Sequence, residues 1–117
     1  MIARIWRGFT AAAQADEYLD YLRLTGLKEY RETAGNRGVL ALRRVHGDRC
    51  EFVLISLWDS MDAVHVYTGT AADEAKYYPD DVHFLLEMEP HVRHYDVADG
   101  IGDLVAMLGE GFTSRPL

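Results

Sequence analysis

Cysteine, proline and long apolar runs are all scarce in this chain of 117 residues, and each scarcity removes a class of protein. One cysteine, Cys50, cannot form an intrachain disulfide and has no C-x-x-C partner, so a disulfide scaffold is excluded and a cytoplasmic setting is expected. The uninterrupted apolar runs are only a few residues long, as at 52–55, against the roughly 20 that a membrane span needs. No membrane association is expected. The start of the chain leads straight into a strand pattern, without the charged and apolar regions of a secretory signal. Cations are scarce too: 12 Lys and Arg stand against 19 Asp and Glu, a net charge of −7. The deficit lies in the second part, since residues 1–50 carry +3 and residues 51–117 carry −10. An acidic chain lacks the basic face that neutralises phosphates, so nucleic acid is excluded as a partner.

Cofactor signatures are missing as well. No Gly-rich phosphate loop joins a strand to a helix, so no nucleotide cofactor is implied. The five histidines show no ligand spacing, and no metal is expected. His91 and His94, three apart on a strand, point to opposite faces.

With 49% hydrophobic residues, the chain is long enough to bury about two thirds of its unfolded surface as one domain. Two stretches follow a common plan: a strand running into a tryptophan, an amphipathic helix, then another strand. The first runs from Ile2 to Phe9 with Trp6, followed by a helix from about Ala11 for which Thr10 is the expected N-cap. Ala15, Leu19 and Leu22 fall at helical spacing with Tyr18 beside them, and Gly26 weakens a helix that resumes through Tyr30 and stops at Gly35-Asn36. Arg37 to Val45 forms a hairpin with the strand Glu51 to Trp58 across His46-Gly47-Asp48-Arg49. Asp59 or Ser60 caps the next helix, whose apolar positions are Ala63, Val64, Val66 and Tyr67. Residues 71–89 read as short helical turns broken at Pro79, with Val82, Leu85, Leu86 and Met88 packing inward, and Val92 to Val97 is the last strand. The order βαββαβ defines an α+β, ferredoxin-like fold: a four-stranded antiparallel sheet with helices on one face. Residues 1–98 form this domain, and 99–117 are an appendage with a short amphipathic helix and a Gly/Ser/Pro tail.

Both faces of that sheet carry bulky apolar groups. One holds Ile5, Leu40, Leu42, Val53, Ile55 and Leu57; the other holds Trp6, Val39, Phe52, Leu54, Trp58 and Val92. Two helices cover one face, so a second cover is required, and the tryptophan-bearing face is the greater burden if left wet. A symmetric homodimer with its sheets face to face, closing a barrel, is the economical solution.

The segments Met1-Ile2-Ala3-Arg4-Ile5-Trp6-Arg7-Gly8, Phe52 through Ser56-Leu57-Trp58-Asp59-Ser60-Met61-Asp62-Ala63, and His94-Tyr95-Asp96-Val97 resemble the antibiotic biosynthesis monooxygenase superfamily of dimeric α/β barrels. The likeness covers about residues 2–97 and is strongest to a bacterial branch carrying Tyr77-Tyr78-Pro79-Asp80-Asp81. It implies a homodimer with a pocket between sheet and helices. It also implies either a cofactor-independent monooxygenase of small aromatic or polyketide-like molecules or a haem-degrading enzyme. The haem-degrading branch would place Trp at Tyr67, an iron-ligating His at Tyr77 and Asn near Ile5, and these departures disfavour it, although tyrosine also ligates haem iron. A non-catalytic dimeric module that binds a small hydrophobic molecule is the other alternative.

Arg4, Arg43, Ser56 and His94 share strand parity with Trp6 and Trp58. One reading is an anion or oxyanion site on an aromatic platform, with Arg4 or Arg43 binding the oxyanion, His94 and Tyr78 moving protons, and Trp58 as platform. The other is an internal polar network with Arg stacked on Trp. Tyr67, Tyr77 and Tyr78 offer flat surfaces for an aromatic ligand, or ordinary roof packing. Asp80 and Asp81 most simply start a helix, and either acts as a base if desolvated.

Overall fold

A computed structural model describes residues 1–108. Strand β1 (Ile2–Ala11) leads through a 3-10 turn (Ala12–Gln14) into α1 (Ala15–Leu24) and α2 (Gly26–Glu32), followed by the hairpin β2 (Asn36–His46) and β3 (Arg49–Trp58). Then come α3 (Met61–Thr68), the single turn α4 (Asp81–Phe84), the short strands β4 (Leu85–Glu87) and β5 (Arg93–Asp96), and α5 (Asp103–Met107). The sheet is antiparallel in the order β2-β3-β1, with β4 and β5 sharing the free edge of β1, so five strands fill four positions.

Register explains which side chains meet. Residues directly opposite share a face, so Val39, Ser56, Arg4 and His94 form one row across four strands. Ala41, Leu54 and Trp6 form the next, and Arg43, Phe52 and Gly8 the third. The helices cover these rows on β3 and β1 and leave their β2 ends at Ala41 and Arg43 exposed. Ala15, Tyr18, Leu22, Gly26 and Tyr30, at spacings of three and four, make one continuous buried stripe through α1 and α2, and α3 adds Ala63, Val64 and Tyr67. The tryptophans are therefore core: Trp58 packs against Tyr30 and Tyr67 at centroid distances of 5.8 and 5.7 Å.

It follows that the face left open is the aliphatic one, not the tryptophan face expected to need a partner. Ile5, Ile55 and Leu40 form a row on it, with Val53 and Leu42 beside them; Leu40 and Leu42 are 59% and 46% exposed. Tyr30 of the helix stripe and Tyr67 of α3 pack their rings on the Trp58 indole of the covered face.

Other expectations change locally. Thr10 is not a helix cap; β1 continues through it, and its hydroxyl donates to the Ala11 carbonyl. Ser60 does cap α3, accepting from the Ala63 N–H at 3.2 Å, while Asp59 pairs with Arg37. Val66 lies on the outer side of α3, and of the four apolar residues expected to pack inward before β5 Leu85 is buried while Val82, Leu86 and Met88 are exposed. Irregular chain, the single turn α4 and the short strand β4 paired to β1 take the place of the helical turns expected there. In the appendage Leu108 is buried while Ile101 and Met107 are exposed; the Gly/Ser/Pro tail lies outside the described residues.

Two glycines are fixed by close approach. The Trp6 indole lies flat over Gly8, where an added Cβ would meet its ring carbons at 2.4 and 2.6 Å. Gly35 adopts φ +87°, and a Cβ there would sit 2.5 Å from that of Ala63 in α3.

Candidate functional site

A cavity of about 20 Å³, room for one or two waters, lies between the helices and the covered sheet face. Its floor is Arg4, Trp6 and Leu54, its sides are Tyr18, Leu22, Gly26, Tyr30 and Tyr67, and its roof is Lys76, Tyr78 and Asp81. Strand parity brings up the floor and the helical stripe the sides. The roof is irregular chain held by backbone bonds to the region before β5, from Ala75 N–H to the Pro90 carbonyl and from Val92 N–H to that of Asp73.

Arg4 dominates the electrostatics. It is 1% exposed, yet its guanidinium donates only to neutral acceptors, the Tyr30 hydroxyl at 3.2 Å and the Glu74 carbonyl at 3.0 Å. Its centre lies 5.5 Å from the centroid of the Tyr67 ring, and Nε has no partner. Among the described residues no carboxylate pairs with it. A buried cation without an anion is costly, and an anionic ligand oxygen would relieve that cost.

Asp81 supplies the opposite sign. Only 3% exposed, it accepts the Tyr18 hydroxyl at 2.8 Å and the Tyr78 N–H at 2.6 Å. Burial raises its pKa above the usual carboxylate value, against the pull of those two donors. Burial, and then the negative charge of Asp81, pushes the Tyr18 phenol far up, so it donates and does not ionise.

At the entrance, Glu29 of α2 accepts from both Lys76 and the Tyr78 hydroxyl. Burial works to raise the Glu29 pKa, but these two hydrogen bonds outweigh it and the net direction is down. The Lys76 ammonium also sits over the rings of Tyr67 and Tyr78, at 4.6 and 5.8 Å. Tyr67 and Tyr78 hydroxyls lie 3.3 Å apart, and burial first of all raises both pKa values well beyond that of free tyrosine.

The residues singled out from sequence are distributed unequally. Arg4, Trp6, Tyr67 and Tyr78 reach the cavity wall. Trp58 and Ser56 lie beneath it: the indole N–H donates to Ser56 Oγ at 2.9 Å, and that hydroxyl donates to the Arg4 carbonyl at 3.3 Å. Trp58 therefore supports Tyr67 and Tyr30 and offers no platform of its own. Tyr77 turns away, donating to the Glu89 carbonyl at 2.5 Å and packing edge-on to Trp6. Arg43 has the right parity but lies on the outer strand beyond the helices, bound to Asp16 at 2.7 Å, so it is no oxyanion partner. His94 stands beside Arg4 in the ladder, with Nδ1 3.2 Å from Asp73 and Nε2 buried without a partner. His91 lies on the other side, lining a groove on the open face with Ile5. Among the described residues no three metal-type side chains converge.

Tyr18, Tyr30, Glu29 and Lys76 were not identified as site residues from sequence. Tyr18 and Tyr30 did carry a signal: a phenol in a buried helical stripe needs a polar partner for its hydroxyl, which marks a polar pocket inside an apolar core.

Fold and cavity together define an α+β protein of the ferredoxin-like kind, with a pocket between sheet and helices. No family model matches the chain, and no curated protein does. Among solved structures it is similar to the heme-degrader MhuD from Mycobacterium tuberculosis with two hemes bound in its active site, at 17% identity and a TM-score of 0.55, covering 87% of this chain and 100% of that one. A mutant of MhuD with two manganese protoporphyrin IX bound per active site gives 17% identity and a TM-score of 0.56, with 87% and 99% covered. This likeness supports the fold expected from the superfamily resemblance.

Proposed function

We propose that this chain binds a small aromatic molecule bearing an anionic oxygen and oxygenates it without a cofactor, as a homodimer closed through the open sheet face. The observation that carries the reading is Arg4, a buried guanidinium among four tyrosines and a tryptophan with no carboxylate paired to it among the described residues. Entry of a ring requires the roof to move, because a benzene-sized void is about 150 Å³. The Lys76–Glu29–Tyr78 contacts are the natural latch: both charged side chains are over a third exposed, and such pairs break at low cost.

The chemistry follows from the two charged groups. An aromatic methylene next to a ring carbonyl loses a proton to Asp81, whose raised pKa suits a base, and the resulting enolate oxygen rests against Arg4. The enolate passes one electron to dioxygen, and the radical pair combines to form a carbon–oxygen bond. The peroxide anion takes the proton back from Asp81 to give a hydroperoxide; Asp81 then removes the second hydrogen of that carbon as the O–O bond breaks, the departing hydroxide regains that proton as water, and the methylene has become a carbonyl. Tyr67 and Tyr78, held as neutral phenols, orient the ring.

Haem is the second reading, because both structural neighbours hold haem or manganese porphyrin. The residues here do not fit it. The wall carries no histidine among the described residues, its Tyr18, Tyr67 and Tyr78 are held protonated, and Tyr77, where the resemblance would put the iron ligand, faces away. Ile5, aligned with that branch's asparagine, is on the opposite sheet face.

The test is oxygen uptake with anthrone, in protein stripped of metal and flavin. One dioxygen consumed per anthrone oxidised is the predicted result, with Asp81→Asn slower by about a hundredfold. No uptake alongside saturable 2-naphthol binding would make the chain a non-catalytic binding protein, and a saturable Soret shift with haemin would favour the second reading.

A further inference from the structure

The row that carries Arg4 continues into β5 at His94, its direct partner in the β1–β5 ladder. Each of these two side chains holds a buried nitrogen without a hydrogen-bond partner, Nε of Arg4 and Nε2 of His94. Directly paired residues hold their Cβ atoms about 4.5–5.5 Å apart, within reach of one shared ligand atom. Arg4 is 1% exposed and the His94 side chain 12%, so bulk water does not satisfy either nitrogen.

From this geometry we infer that Arg4 in the cavity wall and His94, which stands beside it just outside that wall, form a proton-coupled receptor for one anionic oxygen of a ligand that reaches past the present lining, in which His94 takes a proton from solvent as the anion binds. The inference rests on the aromatic-anion reading of the cavity and adds the regulation of that site by pH. With Nδ1–H directed to Asp73, neutral His94 presents a lone pair at Nε2 and would repel an anion. Protonation converts that nitrogen into a second donor beside the guanidinium, and the anion balances both charges. The groups facing His94 are Arg4 on β1, Asp73 in the roof segment and His65 on α3. Burial and the Arg4 charge depress its pKa below 6.5, partly offset by Asp73, with His65 lowering it further, so the imidazole is neutral before the anion arrives. Ligand class follows: carboxylates, enolates and phenolates are accepted, and neutral rings bind without proton uptake.

The probe is 2-naphthoate, with 2-naphthol as its neutral counterpart. Calorimetry at pH 7.5 in two buffers of different ionisation enthalpy measures proton uptake. The expected result is uptake of a large fraction of one proton per 2-naphthoate bound, and affinity falling by about tenfold per pH unit between the pKa of His94 in the free chain and its higher pKa in the complex. His94→Gln abolishes the uptake and flattens the pH dependence. A measurement on the unaltered chain guards against misfolding of that variant: the ¹⁵N shifts of the His94 imidazole, followed with pH, move its titration upward when 2-naphthoate is added. Binding of 2-naphthoate without uptake and with an unmoved His94 titration overturns the inference while leaving the cavity reading intact. If neither compound binds, both fall.

Discussion

Arg4 is the residue on which the most chemistry depends, and it gives a separation of stability from binding. Arg4→Met removes a buried charge that has only neutral partners, so the lost hydrogen bonds and the relieved desolvation offset each other to within about 1–2 kcal/mol. Affinity for 2-naphthoate should drop by tenfold or more, as expected for a charged hydrogen bond worth about 1.5–3 kcal/mol. A urea melt and a binding isotherm on the same variant check both halves. His94 gives a pH prediction whose sign is fixed by linkage. Its folded pKa lies below the unfolded value, so its contribution to stability is complete above about pH 6.5 and is lost as pH falls from there through the lower folded pKa. The urea midpoint should therefore decline more between pH 7.5 and 5 in the unaltered chain than in His94→Gln. At this scale the strand residues were legible: period-two alternation is local, and it placed Arg4, Ser56 and His94 together. Arg43 obeyed the same alternation and still lay outside, because parity fixes the face but not how far the helices extend over it.

Among the elements, α3 and the chain leading into β2 meet at Gly35, where the positive φ and the nearness of the Ala63 Cβ act together. Gly35→Ala should cost at least about 1–2 kcal/mol in chemical denaturation, from left-handed strain alone, and more if α3 shifts. Gly8→Ala acts through β1 instead. Its Cβ displaces the Trp6 indole from its bed, so near-ultraviolet circular dichroism should change even where the fold persists. The strands β1, β2, β3 and β5, the hairpin and the interruption of the first helix beside Gly26 could be read from sequence because turn chemistry and hydrophobic period are local signals. The roof could not. Its course is set by distant contacts, such as Arg4 to the Glu74 carbonyl and Lys76 to Glu29, which no local period encodes. Asp81 lay between: its place after Pro79 suggested a helix start, and only the packing of Tyr18 over it reveals a desolvated base.

For the whole molecule, the presence of apolar groups on both sheet faces was legible from sequence, but the choice of the face that the helices cover was not, since each had enough apolar surface to serve as core. The open row of Ile5, Ile55 and Leu40 now carries the dimer prediction. Ile55→Lys places a charge in the middle of that row, and the sedimentation coefficient should shift from dimer to monomer at micromolar concentration with the Trp6 cavity intact. The central claim, an aromatic-anion site beneath the helices, is tested most directly by the two indole N–H resonances. Trp6 lines the cavity, while Trp58 is fully buried and bonded to Ser56. Titration with 2-naphthoate should move the Trp6 indole signal strongly, the Trp58 signal little, and neither in Arg4→Met. Shifts confined to Ile5, Leu40 and Ile55 on the open face, with the Trp6 signal fixed, would contradict it.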